Sequence, residues 1–249
     1  MNRVKNTRAT RLHVDYARLP ESITTWEGFK DEVNGAIWDD TPKYVHPIFP
    51  KHGTMACEED VRDALNHNVL LPLNILLESD EADEKFARCF YLGNILGEPD
   101  FIQCSNQKLR LAIEVKTKWA LSASDLVETY IKNLIDLGKK TTTKPKPSVY
   151  FQLSQIFGYL SHNELRYGVL TTYENTWFLY RENPSHLRIS PPIQHDDLQP
   201  TLLQCLFYLV SLARNNHQCA SAPPSHHGDD GDSSDDDDDC KSKQRVQVL

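Results

Sequence analysis

Residues 97–117 read GEPDFIQCSNQKLRLAIEVKT, and this stretch decides which fold the chain is expected to adopt. Apolar, β-branched and aromatic residues recur in both of its halves, and the Ser-Asn-Gln turn at 105–107 separates them, which predicts two neighbouring strands. Successive residues of a strand point to opposite faces. The second strand therefore has two distinct faces, one formed by Leu109, Leu111, Ile113 and Val115 and the other by Arg110, Ala112, Glu114 and Lys116.

Three polar residues of this stretch suggest chemistry. Glu114 and Lys116 leave the same face of one strand, and Asp100 ends the turn before its neighbour, where the two carboxylates can meet. Converging carboxylates repel each other unless a cation lies between them, and Mg²⁺ or Mn²⁺ prefers such oxygen ligands. A lysine beside the metal can orient a water molecule and stabilise charge on a phosphate. The plain alternative is that Glu-x-Lys lies on the solvated face of a half-exposed strand.

Helical and strand patterns extend outward from this centre. Their order predicts one α/β domain with a mixed central sheet flanked by helices. The predicted elements are a helix over 22–38, a helix from Thr54 towards Leu70 that Pro72 interrupts or ends, strands within 88–96, 99–104 and 109–117, a helix from Ser124 or Asp125 to Gly138, a helix over 148–162, a hairpin of 166–173 and 176–181 with a possible third strand at 187–193, and a helix over 199–214.

A second group of residues suggests contact with nucleic acid. Gln155 and Tyr159 stand four apart and share a helix face, where an amide and a ring can bind a phosphate or stack on a base. An ordinary amphipathic helix with a polar border is the alternative. Lys139 and Lys140 open a basic loop that precedes this helix. The loop is placed to hold a phosphate backbone, and the alternative is an ordinary solvated loop.

These motifs resemble a known family. Asp100, Glu114 and Lys116 resemble the signature of the PD-(D/E)XK nuclease superfamily, and Gln155 to Tyr159 resembles the Q-x-x-x-Y element of its RecB-like branch. The wider pattern over about residues 55–215 is similar to nuclease-like modules of fungal and oomycete proteins, including Crinkler-type effectors and kinase-fused proteins. The resemblance implies a restriction-endonuclease-like core.

The family also implies a ligand set. A metal would be bound by Asp100, Glu114 and the backbone carbonyl of Val115, with an acidic residue added from the first helix. Glu58 and Glu59 are candidates, and Glu58 is preferred because it precedes Val61 by three residues and Leu65 by seven, on the inward face.

Composition bounds the rest of the chain. Of its 249 residues, 221–249 hold eight aspartates against three basic residues, so they carry −5 of the formal charge of −8 and leave −3 on the body. A body this close to neutral neither requires nor forbids a nucleic-acid partner. The expected division is an N-terminal arm with a short helix and Pro-rich linker (1–54), a nuclease-like domain (55–215) and a disordered acidic tail (216–249).

The expected activity is metal-dependent hydrolysis of phosphodiester bonds in nucleic acid, with DNA as the expected substrate. A protein is a second possible partner. The alternative is a catalytically silent module of the same fold that binds nucleic acid or regulates a partner. No apolar run approaches the ~20 residues of a membrane span, and no secretory signal is seen, so an intracellular location is expected. The ending KSKQRVQVL after the acidic run also suggests nuclear sorting.

Overall fold

Strands and helices alternate along most of the chain. The computed structural model describes residues 18–36, 55–78, 83–123, 125–138 and 148–221. In chain order, the elements of these residues are β1 (Ser22–Thr25), α1 (Phe29–Gly35), α2 (Glu58–Leu65), a π-helical turn (Asn66–Leu70), α3 (Leu71–Leu77), β2 (Glu84–Arg88), a 3₁₀ turn (Cys89–Tyr91), β3 (Phe101–Ser105), β4 (Lys108–Val115), α4 (Leu126–Gly138), α5 (Ser148–His162), β5 (Tyr167–Thr171), β6 (Asn175–Arg181), β7 (His186–Ile189), β8 (Ile193–Gln194) and α6 (Leu202–Asn216).

The strands form one mixed sheet. Its order is β1-β7-β6-β5-β4-β3-β2, and β8 pairs with β6. The pairs β1–β7 and β4–β5 are parallel, whereas the other pairs are antiparallel. Strand β4 lies inside the sheet between β3 and β5, so its backbone is hydrogen-bonded along both edges.

Helices cover both faces of this sheet. On one face, α1, α2 and α6 pack against the side chains of Leu111, Ile113 and Val115. On the other face, α4 and α5 pack against Ala112 and against residues of β5 and β6. The expected α/β architecture with a mixed central sheet and flanking helices is confirmed, and β4 is buried from both sides.

The N-terminal segment belongs to the same core. Strand β1 pairs with β7 in register Ser22↔His186, and Phe29 of α1 stacks on Phe178 of β6 with 4.8 Å between ring centroids. The prediction of one helix over 22–38 was therefore wrong for 22–25, which are extended, and the boundary drawn at residue 54 needs correction because β1 and α1 complete the sheet and its core. Ile37, Trp38 and the Pro-rich stretch lie outside the described residues.

Three further predictions are corrected by the structure. The first strand of the central group lies at Glu84–Arg88, and residues 89–91 form a 3₁₀ turn instead. Of the two alternatives for Pro72, ending the helix is excluded, because proline stands in the first turn of α3, where its missing N–H is tolerated after the π-helical turn that interrupts the α-helix. Leu109 packs with the opposite face from Leu111, because a bulge interrupts the β3–β4 register beside it.

Other predictions hold. The structure confirms the helices at 126–138 and 148–162, the β5–β6 hairpin, the third strand after it and the last helix. The last helix is followed by residues that still belong to the fold, since Leu165 bridges Gln218 and the Arg181 guanidinium donates to the Ala220 carbonyl at 2.5 Å. The tail boundary at 216 is therefore several residues too early. The acidic run itself lies outside the described residues, and no helix of the described part is long and apolar enough to cross a membrane.

Replacing Phe29 tests whether the N-terminal segment is part of the core. Phe29 is fully buried, so Phe29→Ala should lower the free energy of unfolding by about 3–5 kcal/mol, measured by urea denaturation. Leu198→Ala is the control, because Leu198 is 88 % exposed and its loss should change the free energy of unfolding by no more than about 0.5 kcal/mol. Equal, small effects of the two substitutions would show that residues 22–35 do not contribute to the core.

Candidate active site

The candidate site lies where β3 begins and β4 ends. Asp100 immediately precedes β3, and Glu114, Val115 and Lys116 end β4. The Lys116 N–H donates to the Thr171 carbonyl of β5 at 2.8 Å, which continues the parallel ladder past the last residue of β4. The structure thus brings the three sequence-predicted residues together at one end of the central strands.

Asp100 is bound to the backbone of the neighbouring strand. Its Oδ2 accepts a hydrogen bond from the Val115 N–H at 2.7 Å, and the residue is buried. The N–H and C=O of one strand residue point to the same edge of the strand. The Val115 carbonyl is therefore directed to the edge on which Asp100 lies, as a carbonyl ligand in a shared site would have to be.

Glu114 is buried and only partly satisfied. Its Oε1 accepts hydrogen bonds from the Lys116 ammonium and from the Gln155 amide, the latter at 2.7 Å. Its Oε2 is buried and has no hydrogen-bond partner among the described residues. Because Glu114 is 2 % exposed and Lys116 is 7 % exposed, the alternative of a solvated strand face does not hold.

The electrostatic surroundings of Glu114 and Lys116 favour the protonated form of both side chains. Burial raises the pKa of Glu114 to about 8, and the nearby Asp100 charge acts in the same direction, although the Lys116 ammonium opposes both. Burial by itself would lower the pKa of Lys116, but the carboxylates of Glu114 and Glu58 outweigh it and raise that pKa. Both shifts favour the protonated form, which is the more positive form of each group.

Helix α2 contributes the acidic residue that the sequence led us to expect. Glu58 Oε2 lies 3.8 Å from the Lys116 ammonium, whereas Glu59 is the more exposed of the two glutamates and contacts Arg62 and Arg88. Glu58 is thus the glutamate that faces the site. Its position follows from α2, whose Val61 and Leu65 are buried against the sheet.

Arg62 is a member of the site that the sequence interpretation missed. Its guanidinium donates to Asp100, Glu59 and Glu58, at 2.5, 2.8 and 2.5 Å. The available signal was its spacing of three and four residues from the two glutamates on one helix, which places all three on neighbouring positions of its surface. The contact with Asp100, thirty-eight positions away, had no signal in the sequence.

Gln155 and Tyr159 support the site from within. Tyr159 is fully buried, and its hydroxyl accepts the Gln155 amide at 2.8 Å while that amide also reaches Glu114. The prediction that Tyr159 contacts nucleic acid needs correction, because a ring with no exposed surface cannot stack on a base. Gln155 is half-buried and donates to the Glu114 carboxylate at 2.7 Å, and its contact with nucleic acid stays a prediction. Lys139 and Lys140 lie outside the described residues.

Gly97 allows the Gly-Glu-Pro-Asp turn to pack closely against the ring of Tyr159. Its φ of +85° is one that residues with a side chain rarely adopt, and a Cβ at this position would lie 2.4 Å from two ring carbons of Tyr159. The backbone of Glu98 also forms a hydrogen bond with Tyr159. The Gly-Glu-Pro-Asp turn is therefore packed on the Tyr159 ring, which sets the position of Asp100 just before β3.

The carboxylates do not form a ready-made metal cage. Within the described ranges, no three side chains of the His, Cys, Asp or Glu type are arranged as a metal-binding group. The carboxylates of Asp100 and Glu58 are engaged by Arg62, and one oxygen of Glu114 is engaged by Lys116 and Gln155. The two cations thus hold the acidic groups in their present positions.

Comparison with known proteins leaves the family open. No protein-family model matches the chain, and no curated protein matches it. Among solved structures, the chain is similar to the type IIG restriction endonuclease BpuSI, with 18 % sequence identity and a TM-score of 0.33. The match covers 69 % of this chain and 18 % of that chain, so the chain spans less than a fifth of the restriction enzyme. At this TM-score the likeness is no basis for assigning an activity.

Substituting Gly97 tests how the motif turn is held. Gly97→Ala should lower the free energy of unfolding by at least about 2 kcal/mol, because the left-handed backbone and the contact with the Tyr159 ring both oppose a Cβ. Gly93→Ala is the control, since a methyl group there would have nothing within 4 Å, and its effect should stay within about 1 kcal/mol. Urea denaturation of both variants gives the comparison, and indistinguishable values would contradict the packing of the turn on Tyr159.

Proposed function

We propose that this chain is a metal-dependent nuclease that hydrolyses phosphodiester bonds, with DNA as its substrate. The observation that carries the proposal is the buried Oε2 of Glu114, which lacks a hydrogen-bond partner among the described residues and belongs to the same cluster as Asp100 and Lys116. An unpaired buried carboxylate oxygen is costly, and a cation at that oxygen would remove the cost. The raised pKa values of Glu114 and Lys116 support the same conclusion.

The residues present suit a hard divalent cation. Asp100, Glu114 and the Val115 carbonyl would hold Mg²⁺ or Mn²⁺ through oxygen atoms alone, and Glu58 would assist from α2. When bound, such an ion polarises a phosphoryl oxygen and lowers the pKa of a bound water. Gln155 would keep Glu114 turned towards the ion, because its amide occupies the other carboxylate oxygen.

Lys116 would act on the reacting groups. Its ammonium is largely buried between Glu114 and Glu58, and these carboxylates keep it charged. A fixed positive charge in a partly water-excluded site stabilises the negative charge that grows on a phosphate during attack. The same ammonium can hold a water molecule by a hydrogen bond in line with that phosphate.

Contacts with the nucleic acid need residues on the surface. With Tyr159 buried, the exposed ring nearest in sequence to the site is Trp119, which is 57 % exposed and follows Lys116 by three residues. An exposed indole can stack on a base without sequence preference. Lys139 and Lys140 remain proposed contacts to the phosphate backbone.

A catalytically silent module is the second candidate, and one observation favours it. Arg62 donates hydrogen bonds to Asp100 and Glu58, so the protein's own guanidinium already balances the charge of these two carboxylates without a metal ion. In this case the chain would bind nucleic acid or a protein and would not cut. The two candidates differ in whether divalent ions bind at the cluster.

Neighbouring lysines provide a matched test of activity. Lys116→Met should reduce cleavage of DNA in Mg²⁺ or Mn²⁺ by at least about 100-fold, because it removes the charge beside the scissile phosphate. Lys118→Met should stay within about threefold of the wild type, since Lys118 is 61 % exposed and pairs with Glu174 outside the cluster. The measurement is the initial rate on labelled DNA and RNA, with EDTA as the metal-free control.

Two further variants test whether the acidic cluster carries the activity, and the wild type decides between the candidates. Asp100→Asn and Glu114→Gln should abolish cleavage while the far-UV circular dichroism spectrum stays unchanged. Cleavage that survives in these variants and in Lys116→Met would show that the activity resides elsewhere. Binding of DNA by the wild type without cleavage of DNA or RNA in either metal would favour the silent module.

A further inference from the structure

One guanidinium bridges three carboxylates at the edge of the candidate site. The Arg62 side chain uses Nε, Nη1 and Nη2 for three different acids, and it is only 21 % exposed. Asp100 and Glu58 are proposed to serve a metal, whereas Glu59 is the outermost of the three and is 54 % exposed. The planar fork of arginine suits several carboxylates at once, which a lysine ammonium does less well.

Arg62 and a metal ion would compete for the same oxygen atom. Asp100 Oδ2 is already engaged by the Val115 N–H, so Oδ1 is the oxygen left for a metal, and Arg62 Nε lies 2.5 Å from it. A divalent ion on Oδ1 would stand within a few ångströms of the guanidinium, where like charges repel strongly in a partly buried site. Arginine does not escape this repulsion by losing its proton, because its pKa is too high.

We propose that Arg62 is a built-in counter-ion that holds Asp100 and Glu58 in the metal-free protein and that the metal displaces from Asp100. The inference rests on the proposed function, since it concerns the same metal site. Glu59 provides the place to which the guanidinium moves, because Arg62 Nη1 already contacts it and the glutamate lies one helical turn away on the exposed side. Arg62 is thus a residue that tunes metal affinity without contacting the reacting atoms.

Metal affinity measured by calorimetry tests this competition. In titrations with MnCl₂, Arg62→Met should bind Mn²⁺ at least about tenfold more tightly than the wild type, because no cation remains on Asp100 Oδ1. Arg88→Met is the matched control. It also removes a guanidinium from beside Glu59, because Arg88 Nη1 lies 3.5 Å from Glu59 Oε1, but it leaves the contact of Arg62 with Asp100 in place. Its affinity should stay within about threefold of the wild type, and raising the salt from about 0.15 to 0.5 M should shrink this small effect by screening.

Stability of the metal-free protein gives a readout that is independent of activity. Arg62→Met leaves three carboxylates without their shared cation, so its thermal midpoint should fall, and saturating Mn²⁺ should raise that midpoint more than in the wild type. Arg62→Lys keeps the charge but not the fork, and it should fold and bind Mn²⁺ with an affinity between the two. It carries the test if Arg62→Met does not fold.

The outcomes separate this inference from the proposed function. Weaker or unchanged Mn²⁺ binding in Arg62→Met and Arg62→Lys, with normal binding in the wild type, overturns the counter-ion role alone and makes Arg62 a support for Asp100. Absence of Mn²⁺ binding in the wild type and in every Arg62 variant overturns both. Binding that appears only after Arg62 is replaced supports the counter-ion role.

Discussion

The hydrogen bond from the Val115 N–H to Asp100 Oδ2 is the interaction on which the candidate site depends. The β3–β4 ladder reaches only to Phe101 opposite Ile113, so a side chain takes over where backbone pairing stops. This bond brings the turn that precedes β3 to the end of β4. Asp100 is thereby placed in the same cluster as Glu114 and Lys116, and the Val115 carbonyl is directed to the same edge.

The electrostatics of the site follow from burial. Four carboxylates, those of Glu58, Glu59, Asp100 and Glu114, gather around the cations of Arg62 and Lys116. Buried charges persist in proteins only when they are paired or bind an ion, because desolvation penalises each of them. The same constraint explains why the Gln155 amide is directed to Glu114.

The sequence predicted the centre of the molecule better than its margins. Helices α4 and α5 and the β5–β6 hairpin were predictable because local periodicity and turn residues agree with their tertiary surroundings. Strand β1 was missed because its four residues pair with β7, more than 160 positions along the chain. The apolar run after Arg88 resembled a strand, but Leu92 and Ile95 pack instead around Ile102 and Cys104 in a small separate cluster.

For the site, the residue types at 100, 114 and 116 were sufficient to predict that they meet, because the strand period that aligns Glu114 with Lys116 and the turn at 105–107 that brings the two strands together are both local properties. Glu58 was also predictable, since the inward face of a helix can be read from its apolar residues. The contact of Arg62 with Asp100, the burial of Tyr159 and the Glu114 oxygen without a hydrogen-bond partner among the described residues were decided by the tertiary structure alone. Burial and long side-chain contacts depend on residues that are distant in sequence, and no local pattern records which of them come together.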